Sequence, residues 1–233
     1  MKHLRNITPL LAALAVLASA GTANAVEQPT LPKPSDPAFL VPEGKVEHSI
    51  TTVKVSGTRA IPSHERQERW LGRTHGRLII TDLTTGKVTR EVTYKPGETR
   101  VYNAKNKTVR VLIDRRLKSP PWNATSFEAA VQKAYIDQGF VKVVGETTKN
   151  GRRSLITENA PPKWVSDNPN SKTTAVVDAE TFALYERTTF DGDAFRQEAE
   201  HSRAELVDES SGLLAKMSMK KRKGVKISRK IKR

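Results

Sequence analysis

The sequence predicts a mainly β fold of the α+β kind: one long, curved antiparallel sheet with a helix covering its inner face. Three observations predict it. From Ser49 onward apolar and polar residues alternate mostly with a period of two, the mark of strands with one buried and one wet face. Residues suited to tight turns separate these runs. One segment alone, after Thr125, switches to a clear helical period.

The chain is read in order. Lys2, His3 and Arg5, an apolar stretch from Leu10 to Ala20 and the small-x-small triplet Ala23-Asn24-Ala25 have the form of a signal peptide over residues 1–25. Residues 26–45 form a Pro-rich linker with Pro29, Pro32, Pro34, Pro37 and Pro42, which favour extended backbone and are expected to carry no core. The domain proper is expected over residues 46–212. Val88, Val92 and Tyr94 alternate with Thr89, Glu91 and Thr93, and Val109, Val111 and Ile113 flank Arg110, so both stretches read as half-buried strands. Thr84 to Lys87, Asn103 to Lys107 and Asp178 to Thr181 read as turns between strands, and Asn150-Gly151 suits a type I′ hairpin. About nine or ten strands result, the last over Ala194 to Leu206, whose apolar residues show no helical stripe although its Ala and Glu content permits a helix.

The helix has its own signals. Thr125 and Glu128 have capping-box spacing, and Phe127, Ala130, Val131, Ala134 and Tyr135 follow on one face, with Gly139 placed to end it. Its apolar face needs a sheet to cover. The Lys118 to Trp122 and Asn159 to Pro169 stretches, each with paired prolines and a tryptophan, read as loops.

Charge is unevenly placed. Of a formal +15, residues 1–25 carry +2 and Lys216 to Arg233 carries +10, which leaves a nearly neutral body at +3. A basic tail over residues 213–233 is thus expected to stand outside the fold. Lys220, Lys221, Arg222, Lys223, Lys226, Arg229 and Lys230 are its candidates for contact with an anionic membrane or cell-wall polymer, the other reading being a solvated tail. Export argues against nucleic acid as the physiological partner of this charge.

Composition excludes several chemistries. The 233 residues include no cysteine, so disulfides, zinc-thiolate sites, iron–sulfur clusters and a cysteine nucleophile are absent. His48, His64, His75 and His201 are scattered, and His64-Glu65-Arg66-Gln67-Glu68 lacks the second histidine of a zincin, so no metal is expected. Neither a nucleophile elbow nor a phosphate-binding glycine loop is present. The pairs Asp191/Asp193 and Glu198/Glu200 read as solvated acids rather than a catalytic pair. No catalytic residue and no cofactor is expected.

The segment "VVGETTKNGRRSLI" followed by "AVVDAETFALYERTTFDGD" resembles the second half of the bacterial envelope family that includes the lipoprotein carrier LolA, LppX-type lipoproteins and the sigma-factor regulator RseB. The likeness runs from about Phe140 to Asp193. It implies an unclosed antiparallel β-barrel, a half-pipe whose concave face is lidded by helix and, in the carriers, holds acyl chains. On this basis the chain is expected to be exported to the periplasm or extracellular cell envelope. It would act without catalysis, binding an acyl chain, lipid or lipidated protein. The alternative is an RseB-like regulatory module that binds a membrane-anchored anti-sigma-type protein. Candidate cavity residues are Trp70, Leu78, Ile80, Val109, Val111, Ile113, Phe127 and Val131, with the inward face of each strand open to either sign.

Overall fold

The computed structural model describes residues 29–118, 120, 122–159, 171–202, 204–219 and 222–231. The expected leader lies outside them, as does the second Pro-Trp loop beyond Asn159. The first strands run in a meander: β1 (Lys45–Ser56), β2 (Ser63–Gly72), β3 (Gly76–Asp82), β4 (Val88–Lys95), β5 (Glu98–Asn103) and β6 (Thr108–Ile113). Helix α1 (Thr125–Asp137) then leads to a second meander of β7 (Lys142–Lys149), β8 (Arg152–Asn159), β9 (Ser171–Asp178), β10 (Leu184–Asp191) and β11 (Phe195–His201). Last come β12 (Glu205–Asp208), a short helix α2 (Ser211–Lys216) and β13 (Lys226–Ile231).

The thirteen strands among the described residues belong to one sheet, in the order β13-β6-β5-β4-β3-β2-β1-β11-β10-β9-β8-β7, with β12 beside β1. The two meanders join at β1, whose twelve residues pair with β2 along one side and with β12 and then β11 along the other. The expected mainly β, unclosed curved sheet with a covering helix is what the chain forms. The hairpin at Asn150-Gly151 has φ of 53° and 74°, the left-handed pair that a type I′ turn requires.

Four details differ from the sequence reading. The last strand is two, β11 and β12, because the sequence shifts its pairing along β1 after His201. The capping box does not form. The N-cap is Ala124, and Thr125 instead donates from its backbone N and Oγ1 to Glu47 of β1 at 3.0 and 2.8 Å, while Glu128 is taken by Arg69. A carboxylate at the positive end of a helix does the same work from outside the helix. Residues 29–44 are not a bare tether: Phe39 meets Phe127 edge-on at 5.7 Å, Val41 packs with Leu71, Ala124 and Trp122, and Thr30 exchanges two hydrogen bonds with Gln138. Finally, the basic C-terminal stretch does not stand wholly apart, and the sheet is not antiparallel throughout. β13 pairs with β6 in parallel, satisfying an edge that would otherwise expose a row of unpaired backbone groups.

Topology explains both layers. The chain leaves β6 at one end of the first meander and re-enters as β7 at the far edge of the sheet, so α1 crosses the face on which Glu47 and Arg69 lie. After β12 it must return to the β6 edge, and it does so over the opposite, outer face. There Arg77 donates to the Lys216 carbonyl, Met217 is buried, and Arg222 reaches Glu91 at 2.7 Å while its guanidinium sits 4.2 Å over the Tyr102 ring. Glu91 is 0% exposed and also accepts from Arg77 at 2.9 Å.

A carboxylate this deeply buried depends on both guanidinium groups, and removing it leaves two cations facing each other without a counter-charge. Glu91→Ala is therefore expected to cost about 3–5 kcal/mol in urea unfolding, with Arg222→Ala costing less because Arg77 remains. A Glu91→Ala midpoint equal to the parent's would contradict this reading of the outer layer.

Candidate functional site

The site is built from β1 outward. Period-two alternation sends Glu47, Ser49, Thr51 and Val53 to the α1 side of the sheet. Register then fixes their neighbours on the same face: Arg69 lies opposite Ser49, His201 opposite Thr51, and Ala199 opposite Val53. Arg187 of β10 follows opposite Ala199. Glu128 comes down onto this row from the first turn of α1.

Arg69 ties the row to the helix. Its guanidinium donates to Glu47 at 3.1 Å, to Glu128 at 2.9 Å and, through Nε, to the Ser49 hydroxyl at 3.2 Å. With Thr125 also donating to Glu47, one buried carboxylate and one arginine fix the N-terminus of α1 against β1 and β2. Charge-assisted bonds in a site screened from water are stronger than neutral ones, and they set the helix's position.

Two groups beside this clamp are left uncommitted among the described residues. Arg187 makes no hydrogen bond or ion pair with any of them. Burial pushes its guanidinium pKa down, opposed by the charge of Glu128. His201 accepts from or donates to the Thr51 hydroxyl through Nδ1 at 3.1 Å, while its Nε2 is buried and has no hydrogen-bond partner among the described residues. Burial first, then the positive charges of Arg187 and Arg69, lower the His201 pKa to about 4, so the ring is neutral at neutral pH.

Beyond Arg69 the same face carries an apolar row, bordered by Arg90 opposite Ile80 and Arg110 opposite Val101. Register places Leu78 opposite Arg69, Val92 opposite Leu78, and Val101 opposite Val92, with Ile80 one step along β3. Trp122, from the first Pro-Trp loop, lies over Gly76 so closely that a Cβ there would stand 2.5 Å from its ring. That approach is the reason for glycine at the start of β3.

Of the eight cavity candidates, Leu78 and Ile80 lie on this face. Phe127 and Val131 are buried on α1, where Phe127 packs on Phe39. The other four require correction. Trp70 lies on the outer face, stacked on His48 at 3.7 Å. Val109, Val111 and Ile113 are paired with Tyr102, Arg100 and Glu98, which puts them on the outer face with Glu91. Alternation alone leaves the sign of each strand open, and only pairing settles it. Sequence reading missed Glu47, Arg69, Arg187 and His201. The available signal was polar residues at the parity of Val53 and Ala199, where a buried face calls for apolar ones.

Among the tail candidates, Lys220 and Lys221 lie outside the described residues. Arg222 is corrected: it is spent on Glu91 and Tyr102. Lys223, Lys226, Arg229 and Lys230 are exposed. Three of the four set-aside acids are engaged elsewhere: Glu198 with Arg196 at 2.6 Å, Glu200 with Lys149 at 3.4 Å, and Asp191 with the Ser171 hydroxyl. On the far hairpin, burial would raise the Asp178 pKa. Hydrogen bonds from Thr181, Tyr185, Arg152 and Glu180 override burial and hold it well below the usual carboxylate range.

The His201 shift has a defined pH consequence. Its folded value lies below the unfolded one of about 6.5, so protons bind the unfolded chain better. The stability this confers is complete above about pH 6.5 and is lost as pH falls toward about 4, roughly 3 kcal/mol in all. Urea midpoints measured across that window are expected to fall more steeply for the parent than for His201→Gln; parallel slopes would contradict the assignment.

No family model matches the chain, and no curated protein matches it. Among solved structures it is similar to an uncharacterized conserved protein from Thermus thermophilus, at 6% identity and a TM-score of 0.46, over 80% of this chain and 90% of that one. A LolA superfamily protein from Nitrosomonas europaea is similar at 8% identity and a TM-score of 0.31, over 75% and 91%. Pseudomonas aeruginosa MucB, solved in complex with MucA, is similar at 12% identity and a TM-score of 0.40, over 72% of this chain and 55% of that chain, so the chain spans about half its length.

Proposed function

We propose that the protein is a non-enzymatic binding protein of the bacterial cell envelope. It holds an acyl chain, a lipid or a lipidated protein on the concave face beneath α1. The observation that carries this reading is the apolar row Leu78, Ile80, Val92 and Val101 continuing from the Arg69 clamp on the helix-covered face. Twelve strands abreast span an arc of about 50 Å, whereas thirteen helical residues span about 20 Å. A concave face wider than its helix, with no ends sealed to each other, suits an elongated apolar ligand. The expected leader supplies the route to the envelope. Lys223, Lys226, Arg229 and Lys230, exposed near the β13 edge, supply a cationic margin for an anionic membrane or wall polymer.

A second reading, a regulatory module for a membrane-anchored protein of the anti-sigma type, is favoured by β7. That edge strand is exposed, with Val143 and Val144 at 45% and 58%, and an open edge accepts a partner's strand.

Native mass spectrometry of the chain purified from its own host without detergent separates the two. The lipid reading expects a reproducible added mass that extracts into organic solvent. A bare mass, with no uptake of offered oleate or phosphatidylglycerol, would overturn it in favour of the protein-binding reading.

A further inference from the structure

We propose that the concave face contains a headgroup site. The Arg187 guanidinium and the Nε2–H of His201 together hold the carboxylate or phosphate oxyanion of an amphiphile whose chain lies along Leu78, Ile80 and Val92. The inference rests on the lipid-binding reading above and names the chemistry of the ligand's polar end.

Placement comes first. Arg187 lies opposite Ala199, and His201 is two residues along β11 on the same face, a diagonal separation that an arginine side chain spans. The other charged groups on this face nearby are Arg69 and Glu65 of β2, Glu47 of β1 and Glu128 of α1, Glu65 lying beyond Val53. Glu47 and Glu128 both accept from Arg69, and Glu47 also holds Thr125. Arg187 makes no hydrogen bond or ion pair among the described residues. His201 Nε2 is a buried polar atom with no partner among them. With the Thr51 hydroxyl donating to Nδ1, the neutral ring carries its proton on Nε2, and the ring is near enough to the Arg187 guanidinium for its charge to act on it.

A buried donor without an acceptor, as His201 Nε2 is among the described residues, is costly, and a native chain retains it where something else supplies the acceptor. A guanidinium edge and one imidazole N–H suit the oxygens of a carboxylate or phosphate. The anion would also offset a local field to which Arg69 and Arg187 both contribute. The position fits the chain of an amphiphile as well. From β11 to β3 is three strand spacings, about 14 Å, so a ligand with its head at His201 passes Thr51 and Gln67 to reach Ile80, beside Leu78 on the same strand.

The test compares three ligands with one chain and different heads: oleate, oleyl phosphate and oleyl alcohol, titrated into the parent protein and Arg187→Gln. The parent is expected to bind one or both anions at least about 10-fold more tightly than the alcohol, equivalent to about 1.4 kcal/mol, and whichever anion wins names the headgroup class. In Arg187→Gln that preference closes while the alcohol's affinity holds. The thermal midpoint of the ligand-free variant does not fall, because a half-buried charge without an ion-pair partner among the described residues has been removed. Equal affinity of the parent for all three ligands overturns the headgroup site and leaves the acyl-chain reading standing. Binding of none of them overturns both. Inorganic phosphate bound through Arg187 without any oleyl ligand binding overturns the amphiphile and leaves a site for a free anion. A midpoint several degrees lower in ligand-free Arg187→Gln overturns the claim that Arg187 is uncommitted.

Discussion

The fold depends on a single topological constraint: the first meander ends at β6 and the second begins at β7, toward opposite ends of the same sheet, with only β13 beyond β6. The chain has to cross the whole sheet once to get from one to the other, and β13 requires a second crossing to reach β6 again. The first crossing takes the concave face and carries α1. The second takes the outer face and carries the stretch from α2 to Arg222. A sheet of this width would otherwise expose two apolar faces; the two crossings give each face its cover.

Each crossing is pinned by a buried carboxylate. On the concave side Glu47 is shared by Arg69 and the first amide and hydroxyl of α1. On the outer side Glu91 is shared by Arg77 and Arg222. Buried ion pairs add little net stability over well-packed apolar groups, but a carboxylate stripped of its partners is expensive, so such pairs strongly disfavour every other placement of the segment they hold. In a chain with 36% hydrophobic residues, position is set by charge where packing alone would leave it loose. The clamp also organises the candidate site. By using Glu47 and Glu128 to hold the helix, Arg69 leaves Arg187 and His201 Nε2 without an acceptor among the described residues, next to an apolar row. A clamp, an uncommitted cation and an apolar row together suit binding and orienting an amphiphile.

Much of the sheet was legible because strands and hairpins are local. The period of two, the turn at Thr84 to Lys87 and the left-handed pair at Asn150-Gly151 require no knowledge of distant residues. What was not legible depended on pairing across the chain. Val109, Val111 and Ile113 have a clear alternation, yet their face is decided by Tyr102, Arg100 and Glu98 across β5, and it is the outer one. Thr125 and Glu128 have capping-box spacing, but Glu47, 78 residues away, outcompetes the local bond. The C-terminal basic stretch reads as a tail from its charge, while Ile227 and Ile231 at strand spacing were the weaker sign that it pairs with β6. Arg187 and His201 carry no motif; their meaning comes from the register that sets them beside each other under α1.

The central claim is that one face of the sheet, and not the other, receives the ligand's chain. Intermolecular nuclear Overhauser effects between the acyl protons of bound oleate and assigned methyl groups test it directly. The account predicts contacts to Leu78, Ile80, Val92 and Val101, and none to Val109, Val111 or Ile113. Contacts confined to the latter set, or bound oleate touching neither set, would contradict it.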